Sequence, residues 1–277
     1  MKIYTFLIIK KNKLLDNIIY NSLKYYLFLY RVLYLGKIKN KKKTIKKKTQ
    51  KIVIFGSARS ALNFSKREKK ILSKYKIIFM NKNLIFWKYL NIWPDYYFLS
   101  DTPLKSNKAI KIFLDTYKKI IQTNFVAPTF LLENFYKFSL SKDLKSFFFK
   151  FKKKTYIKWA SSLDDEMFSF HGSLTTLLNL ISILKIGKKV LLVGFDMRDS
   201  TYFFEKNKLF IKYKDKNFKK KNSLHPNAEK INGKNIFSYW SILNKQLKKK
   251  NINIYCNNQN SLLIKNRLVK FKSISDF

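Results

Sequence analysis

Short apolar runs, each closed by small or polar residues, recur along the chain from residue 51 onward. Residues 52–55 end at Gly56 and Ser57, 76–80 at Asn81, 96–99 at Ser100 and Asp101, and 119–122 at Thr123 and Asn124. Farther on, 190–193 ends at Gly194, Phe195 and Asp196, and 252–255 at Cys256, Asn257 and Asn258. Runs that are apolar throughout, rather than alternating, predict strands covered on both faces, as in a parallel sheet. Between them the period changes to that of a helix. Residues 61–74 read as a helix after the first turn. Residues 130–160 read as aromatic, lysine-rich helical sequence that gives way to a strand at 155–159. Leu174, Leu177, Leu178, Ile181 and Leu184 fall on one helical face, with Gly187 as the expected C-terminal cap. Phe237, Trp240, Ile242, Leu243 and Leu247 do the same within a helix expected at 235–250. The alternation predicts an α/β fold: a single doubly wound, Rossmann-like, mostly parallel sheet.

The pattern fails in two places. Residues 199–234 are polar, lysine-rich and without clear periodicity, the character of a long binding loop or lid, so a lid is expected at about 197–234. Residues 1–50 also stand apart: an aromatic and aliphatic stretch at 17–35 is followed at 37–51 by nine lysines and no acid. Two readings of this extension stand side by side. One is an interfacial helix plus polybasic run that attaches to an anionic membrane surface through residues 1–51. The other is a compositionally drifted extension with an extended lysine linker. The expected organisation is therefore an apolar and basic extension over 1–50, then a Rossmann-like domain over 51–277.

Composition changes the picture less than its extremes suggest. The formal net charge of +43 ordinarily points to nucleic acid. Only five of the 59 basic residues are arginine, however, the side chain whose planar fork reads phosphates and bases. Lys, Asn, Ile, Phe and Tyr are abundant while Gly and Pro number 6 and 4, a bias that AT-rich coding produces without selection for any partner. The charge is spread along the chain rather than gathered on one element, which argues against specific nucleic-acid binding. One cysteine, Cys256, excludes an internal disulfide framework, and with only His171 and His225 the ligands for a zinc site are lacking. No metal and no cofactor is expected. The acid cluster Asp164, Asp165 and Glu166 reads as a solvated turn ahead of the helix that follows His171. No uncharged apolar stretch reaches the roughly 18 residues of a membrane span, and the single thiol fits a reducing cytoplasm.

Candidate chemistry follows from the strand ends. Open α/β sheets bind ligands beyond the carboxyl ends of their strands. That rule gathers Gly56, Ser57, Asn81, Asp101, Asp196, Arg198 and Tyr202 at one edge. The turn Gly56-Ser57-Ala58-Arg59-Ser60 links a strand to a helix, where backbone N–H groups can face a phosphate. It lacks both the three-glycine dinucleotide fingerprint and the Walker ending, so an ordinary strand–helix turn is an equal reading.

Taken in order, these pieces resemble glycosyltransferase family 42, bacterial sialyltransferases that use CMP-activated sialic acid. The matching segments are residues 56–62 (GSARSAL), Gly172-Ser173, Gly194-Phe195-Asp196, Tyr202, His225, Ile254-Tyr255-Cys256 and Asn260-Ser261-Leu262-Leu263, in order over about 51–265. Related flagellin-glycosylation accessory factors share much of the pattern. The resemblance implies an inverting, metal-independent transfer from a CMP-sugar donor to a hydroxyl of a glycan or glycolipid acceptor, as in lipopolysaccharide biosynthesis. It implies His225 as general base and Tyr202 as donor of a hydrogen bond to the leaving phosphate. Arg198, where the family has a second tyrosine, would neutralise that phosphate as a charged fork. Gly56, Ser57, Asn81, Asp101, Gly172, Ser173, Gly194 and Asp196 would hold the donor. Ser57 and Asp101 each replace a family asparagine, and Pro226 and a longer interval between His225 and Tyr255 depart from the pattern. The implied place is the cytoplasm, peripheral to the inner membrane if the extension binds there. Self-association into a homo-oligomer is left open. Two alternatives remain: a non-catalytic nucleotide- or glycan-binding relative, and a lysine-rich nucleic-acid-binding protein.

Overall fold

The computed structural model describes residues 50–62, 64–100, 129–133, 146–150, 155–198, 202–203, 224–225, 227–230 and 232–277. The chain divides into two units, Met1–Lys48 with Phe135–Asp143, and Thr49–Asn134 with Leu144–Phe277. The first lies outside the described residues, as do the strand expected at 119–122 and Asp101.

The apolar runs become strands β1 (Lys51–Phe55), β2 (Lys76–Met80), β3 (Tyr96–Leu99), β8 (Lys189–Val193) and β9 (Asn253–Cys256). Two more, β4 (Thr129–Glu133) and β5 (Ser146–Phe149), lie where helical sequence was expected. Runs as short as TFLLE and SFFF fit either period, and here parallel pairing of β4 with β3 and of β5 with β4 settles them as strands. The strand expected at 155–159 shortens to β6 (Thr155–Tyr156), which pairs antiparallel with β7 (Ser169–Phe170) in a separate two-stranded ribbon. With β10 (Lys270–Phe271) the main sheet has the order β10-β9-β8-β1-β2-β3-β4-β5, every pairing parallel.

Among the described residues five α-helices accompany it: α1 (Lys66–Leu72), α2 (Trp87–Leu90), α3 (Ser173–Leu184), α4 (Trp240–Lys249) and α5 (Leu262–Lys265). The helix expected at 61–74 is broken. Residues 59–62 form a 3-10 turn, and α1 starts only after Ser65. Ser65 and Glu68 make a reciprocal capping box, Glu68 N donating to Ser65 Oγ (3.1 Å) and Ser65 N to Glu68 Oε2 (2.8 Å), which fixes the start there. Gly187 is not the left-handed cap of α3. Lys185 takes that conformation (φ 52°), and Gly187 instead lies where a Cβ would overlap the Ile52 side chain. The helix expected at 235–250 begins only at Trp240, after turns over 236–239.

Both faces of the sheet are covered, as the uninterrupted apolar strands require. Ile52, Ile54, Ile78, Met80, Phe98, Val190 and Leu192 pack with Leu174, Leu177, Leu178 and Ile181 of α3 and Trp240, Leu243 and Leu247 of α4. On the other face Phe55 meets Phe64 and Phe79 edge-on, with centroids 5.9 and 5.5 Å apart. Ile52–Phe55 and Val190–Val193 are fully buried, each side chain contributing about 1.5–3 kcal/mol relative to exposure. Asn179, buried in α3, ties the ribbon down. Its Oδ1 accepts from Phe168 N (2.9 Å) and Ala160 N (3.2 Å), and its Nδ2 donates to Ala160 O (2.9 Å). No helix among the described residues is long and apolar enough to cross a membrane.

Strand order runs outward from β1 to β5 on one side and through β8 to β10 on the other. The direction reverses between β1 and β8, the switch point at which the carboxyl edge of such a sheet opens a crevice.

Candidate functional site

The β1–β8 switch point is built on two glycines. Gly56 N donates to Val193 O (2.7 Å) and Ala58 N to Gly194 O (3.0 Å), carrying the ladder past the ends of both strands. A Cβ on Gly56 would overlap the Gly194 carbonyl oxygen. Gly194 has φ +72°, and a Cβ there would lie 2.8 Å from the Ala61 Cβ. Both positions therefore demand glycine, one for close approach and one for backbone conformation as well.

These bonds correct one expectation. The N–H groups of Gly56, Ala58 and Ser60 do not form an open phosphate cradle, because they bond to Val193 O, Gly194 O and the Asp196 carboxylate. Asp196 is the brace of this turn. Its Oδ1 accepts from Ser60 Oγ (2.5 Å) and Asn258 Nδ2 (2.6 Å), and its backbone oxygen accepts from Leu262 N (3.0 Å). Ser261 Oγ donates to Phe195 O (2.7 Å). The segment after β9 thus holds the β8 turn against the β1 turn. Cys256 is buried behind it, and burial raises its thiol pKa. Arg198 is exposed at the end of its described segment.

On the β2 side Asn81 plays a similar part. It sits in the left-handed region (φ 48°), which asparagine tolerates better than most residues. Its Oδ1 accepts from Ser100 N (3.1 Å), its Nδ2 donates to Ser173 Oγ (3.2 Å), and its backbone oxygen accepts from Tyr97 OH (2.6 Å). Asn81 therefore joins the ends of β2 and β3 to the start of α3. Ser100 Oγ beside it is buried with no partner among the described residues. Asn83 Nδ2 donates to Phe55 O (2.8 Å) and fixes the exit of β1.

Helix α3 starts at Gly172 with no side-chain cap, its N-terminal end toward this edge. A third segment closes on it. A Cβ at Gly172 would lie 2.7 Å from Asn227 Nδ2 and 3.2 Å from Ile236 Cδ1. Asn227 belongs to a tight turn: Ala228 N and Glu229 N donate to His225 O (2.7 and 3.2 Å), and Asn227 N donates to His225 Nδ1 (3.2 Å). The His225 ring stands perpendicular to that of Tyr202 with centroids 6.4 Å apart. Tyr202 in turn forms an isolated antiparallel bridge with Ala58, and Phe203 N donates to Ser57 O (3.0 Å). A continuous path of contacts therefore runs from Ser57 through Tyr202, His225, Asn227 and Gly172–Ser173 to Asn81.

The His225–Asn227 bond has a chemical consequence. A neutral imidazole whose Nδ1 accepts carries its proton on Nε2, and an imidazolium cannot accept at all. In this arrangement the ring is a donor at Nε2.

Of the residues expected at the site, Ser57, Asn81, Gly172, Ser173, Tyr202 and His225 lie along this path. Gly56, Gly194 and Asp196 form the adjoining brace at the switch point. Ser60, Asn227 and Asn258 are visible in the sequence within the first turn, the lid and the last strand end, but no site role was expected of them. Asp165 has its carboxylate turned onto Ser161 and Ser162, accepting from Ser161 N (2.8 Å), Ser161 Oγ (2.9 Å) and Ser162 N (2.9 Å). Those bonds hold its pKa down at about 2. No group of His, Cys, Asp or Glu among the described residues is arranged to hold a metal ion.

No protein-family model matches the sequence, and no curated protein matches it. Among solved structures the chain is similar to the MAf glycosyltransferase from Magnetospirillum magneticum AMB-1, with a TM-score of 0.45 and 11% identity over 84% of this chain. The match covers 35% of that protein, so this chain spans about a third of its length.

Proposed function

We propose that this chain is an inverting glycosyltransferase that moves a sialic-acid-type sugar from a CMP-activated donor to a hydroxyl of a cell-surface or lipid-linked glycan. The observation that carries the reading is that the His225 ring faces Tyr202 while the turn carrying His225 packs through Asn227 on Gly172, at the carboxyl edge of the sheet. These are the residues whose order in the sequence resembles the sialyltransferases of family 42. Tyr202 and Arg198 stabilise the departing phosphate by a hydrogen bond and a charge. Ser57, Ser173 and the start of α3 hold the nucleotide. Asp196 and Asn81 act on it by fixing the turns that line the crevice, because their own polar atoms are engaged within the protein. Asp101 contacts a ribose or sugar hydroxyl, and the segment at 197–234 closes as a lid.

His225 takes the acceptor proton, and the turn must change for it to do so. Either Nδ1 is freed to receive the proton, or the ring proton moves to Nδ1 and Nε2 becomes the base. Both routes break the bond from Asn227 N, so in this reading acceptor binding and opening of the 225–228 turn are one event.

The test is CMP release from CMP-sialic acid without acceptor, comparing the wild type with His225→Ala. Release by the wild type, lost in the variant while CMP still binds, supports the reading. Saturable CMP binding with no release by the wild type favours the non-catalytic relative. Neither release nor binding removes the family reading and leaves salt-dependent polyanion binding as the activity to examine.

A further inference from the structure

We propose that the cleft between the C-terminal ends of α3 and α4 is a second binding site, for a compact ligand carrying at least two phosphate groups. The cleft has a volume of about 600 Å³, within the range of about 300–1,000 Å³ typical of small-molecule sites. It lies at the opposite end of the sheet from Asp196: α3 leads through Lys185 into the start of β8, and α4 through Lys250 into the start of β9. It does not depend on the function proposed above.

Three separate segments bring cations to it: Lys158 from the stretch after β6, Lys185 from the end of α3, and Lys249 and Lys250 from the end of α4. All four are exposed; no carboxylate is among the lining residues, and the one bonded to a lining residue, Asp165 on Ser161, already accepts from two backbone N–H groups and a hydroxyl. Lysines in the last turn of a helix offset its dipole, which accounts for Lys249 and Lys250. That account does not reach Lys158, which is on no helix. Nor does it explain why Lys185 occupies a left-handed position (φ 52°) that glycine or asparagine ordinarily fills. Four like charges around one concavity repel unless an anion sits among them, and a concave wall concentrates their field. Half-buried Trp159 and Ile183 add an apolar surface for the uncharged part of the ligand. Two or more phosphates match the four ammonium groups. Their source is either a soluble polyphosphate or a lipid headgroup.

The experiment labels the full chain with 5-fluorotryptophan and assigns the Trp159 resonance with Trp159→Phe. Inorganic pyrophosphate is titrated at physiological ionic strength. The expected result is a saturable shift of the Trp159 signal while Trp87, Trp93 and Trp240 stay in place. Replacing Lys158, Lys185, Lys249 and Lys250 together by Ala weakens binding by at least about tenfold. The same charge change at exposed Lys66, Lys70, Lys265 and Lys270 weakens it by less than about twofold. A parallel arm measures co-sedimentation with phosphatidylcholine vesicles containing cardiolipin. Loss of binding confined to the cleft variant in the vesicle arm assigns the phosphates to a lipid, and in the pyrophosphate arm to a soluble ligand. Equal weakening in the two lysine variants, or no saturable Trp159 response to pyrophosphate together with no vesicle binding that depends on the cleft lysines, overturns the site.

Discussion

Gly172→Ala probes the contact on which the candidate site depends. The backbone at Gly172 is extended (φ 174°) and open to any residue, so the new methyl brings no conformational strain. What it meets is Asn227 Nδ2 at 2.7 Å and Ile236 Cδ1 at 3.2 Å. The first distance is too short to survive, and overpacking of this kind costs about 1–3 kcal/mol. For a domain of this size that lowers Tm by roughly 2–12 °C. Because the offending atoms are the end of a side chain, a second substitution, Asn227→Ala, makes room. The assay is urea unfolding of the wild type, the two single variants and the double variant. The expected cycle shows a coupling of at least about 1 kcal/mol in the sense of rescue. Additive costs, with coupling below about 0.5 kcal/mol, would refute the packing of the His225 turn on α3, and the path of contacts with it. Gly56→Ala provides the contrast: there the obstacle is the Gly194 carbonyl, so no side-chain truncation restores stability.

Further outcomes follow from single residues. Asn179→Ala leaves the N–H groups of Ala160 and Phe168 and the oxygen of Ala160 buried without partners, and should cost more than about 3 kcal/mol in urea unfolding. Ser65→Ala removes the cap of α1 and should cost about 1 kcal/mol by the same assay, with no change in CMP binding. Cys256 should alkylate far more slowly in the native protein at pH 8 than in denaturant, since burial raises its thiol pKa. Its contribution to stability is complete below the ordinary thiol pKa and declines as pH rises through the raised folded value. Equal labelling rates in the two states would contradict that burial.

Legibility in the sequence followed the strength of the local signal. β2 and β3 could be read to the residue because each apolar run is closed by a polar side chain that the structure uses: Asn81 bridges to α3, and Ser100 bonds to Asn81. β4 and β5 could not, because their apolar runs are too short to show a period and become strands only by pairing in order, β4 onto β3 and β5 onto β4. The break before α1 was present in the sequence as Ser65 and Glu68 at capping-box spacing, a signal stronger than the apolar continuity that argued for one long helix. Gly187 shows a different limit: its requirement comes from contact with Ile52, a residue far away in the chain, and local cap rules carry no trace of it. The site residues were legible as types at strand ends. Their division of labour was not, because whether Asp196 faces a ligand or braces Ser60 and Asn258 depends on where the segment after β9 returns.

The place of β1 has a consequence for synthesis. Its two partners are made at very different times: β2 follows within one helix, whereas β8 lies roughly 130 residues farther on. At about 5–20 residues per second a ribosome needs roughly 7–26 s to reach it. Throughout that interval Ile52–Phe55, wholly apolar and buried in the finished sheet, is an edge strand with one side unpaired. Chains that stop before residue 189 keep that edge permanently, and they should aggregate or bind chaperones where the complete chain does not.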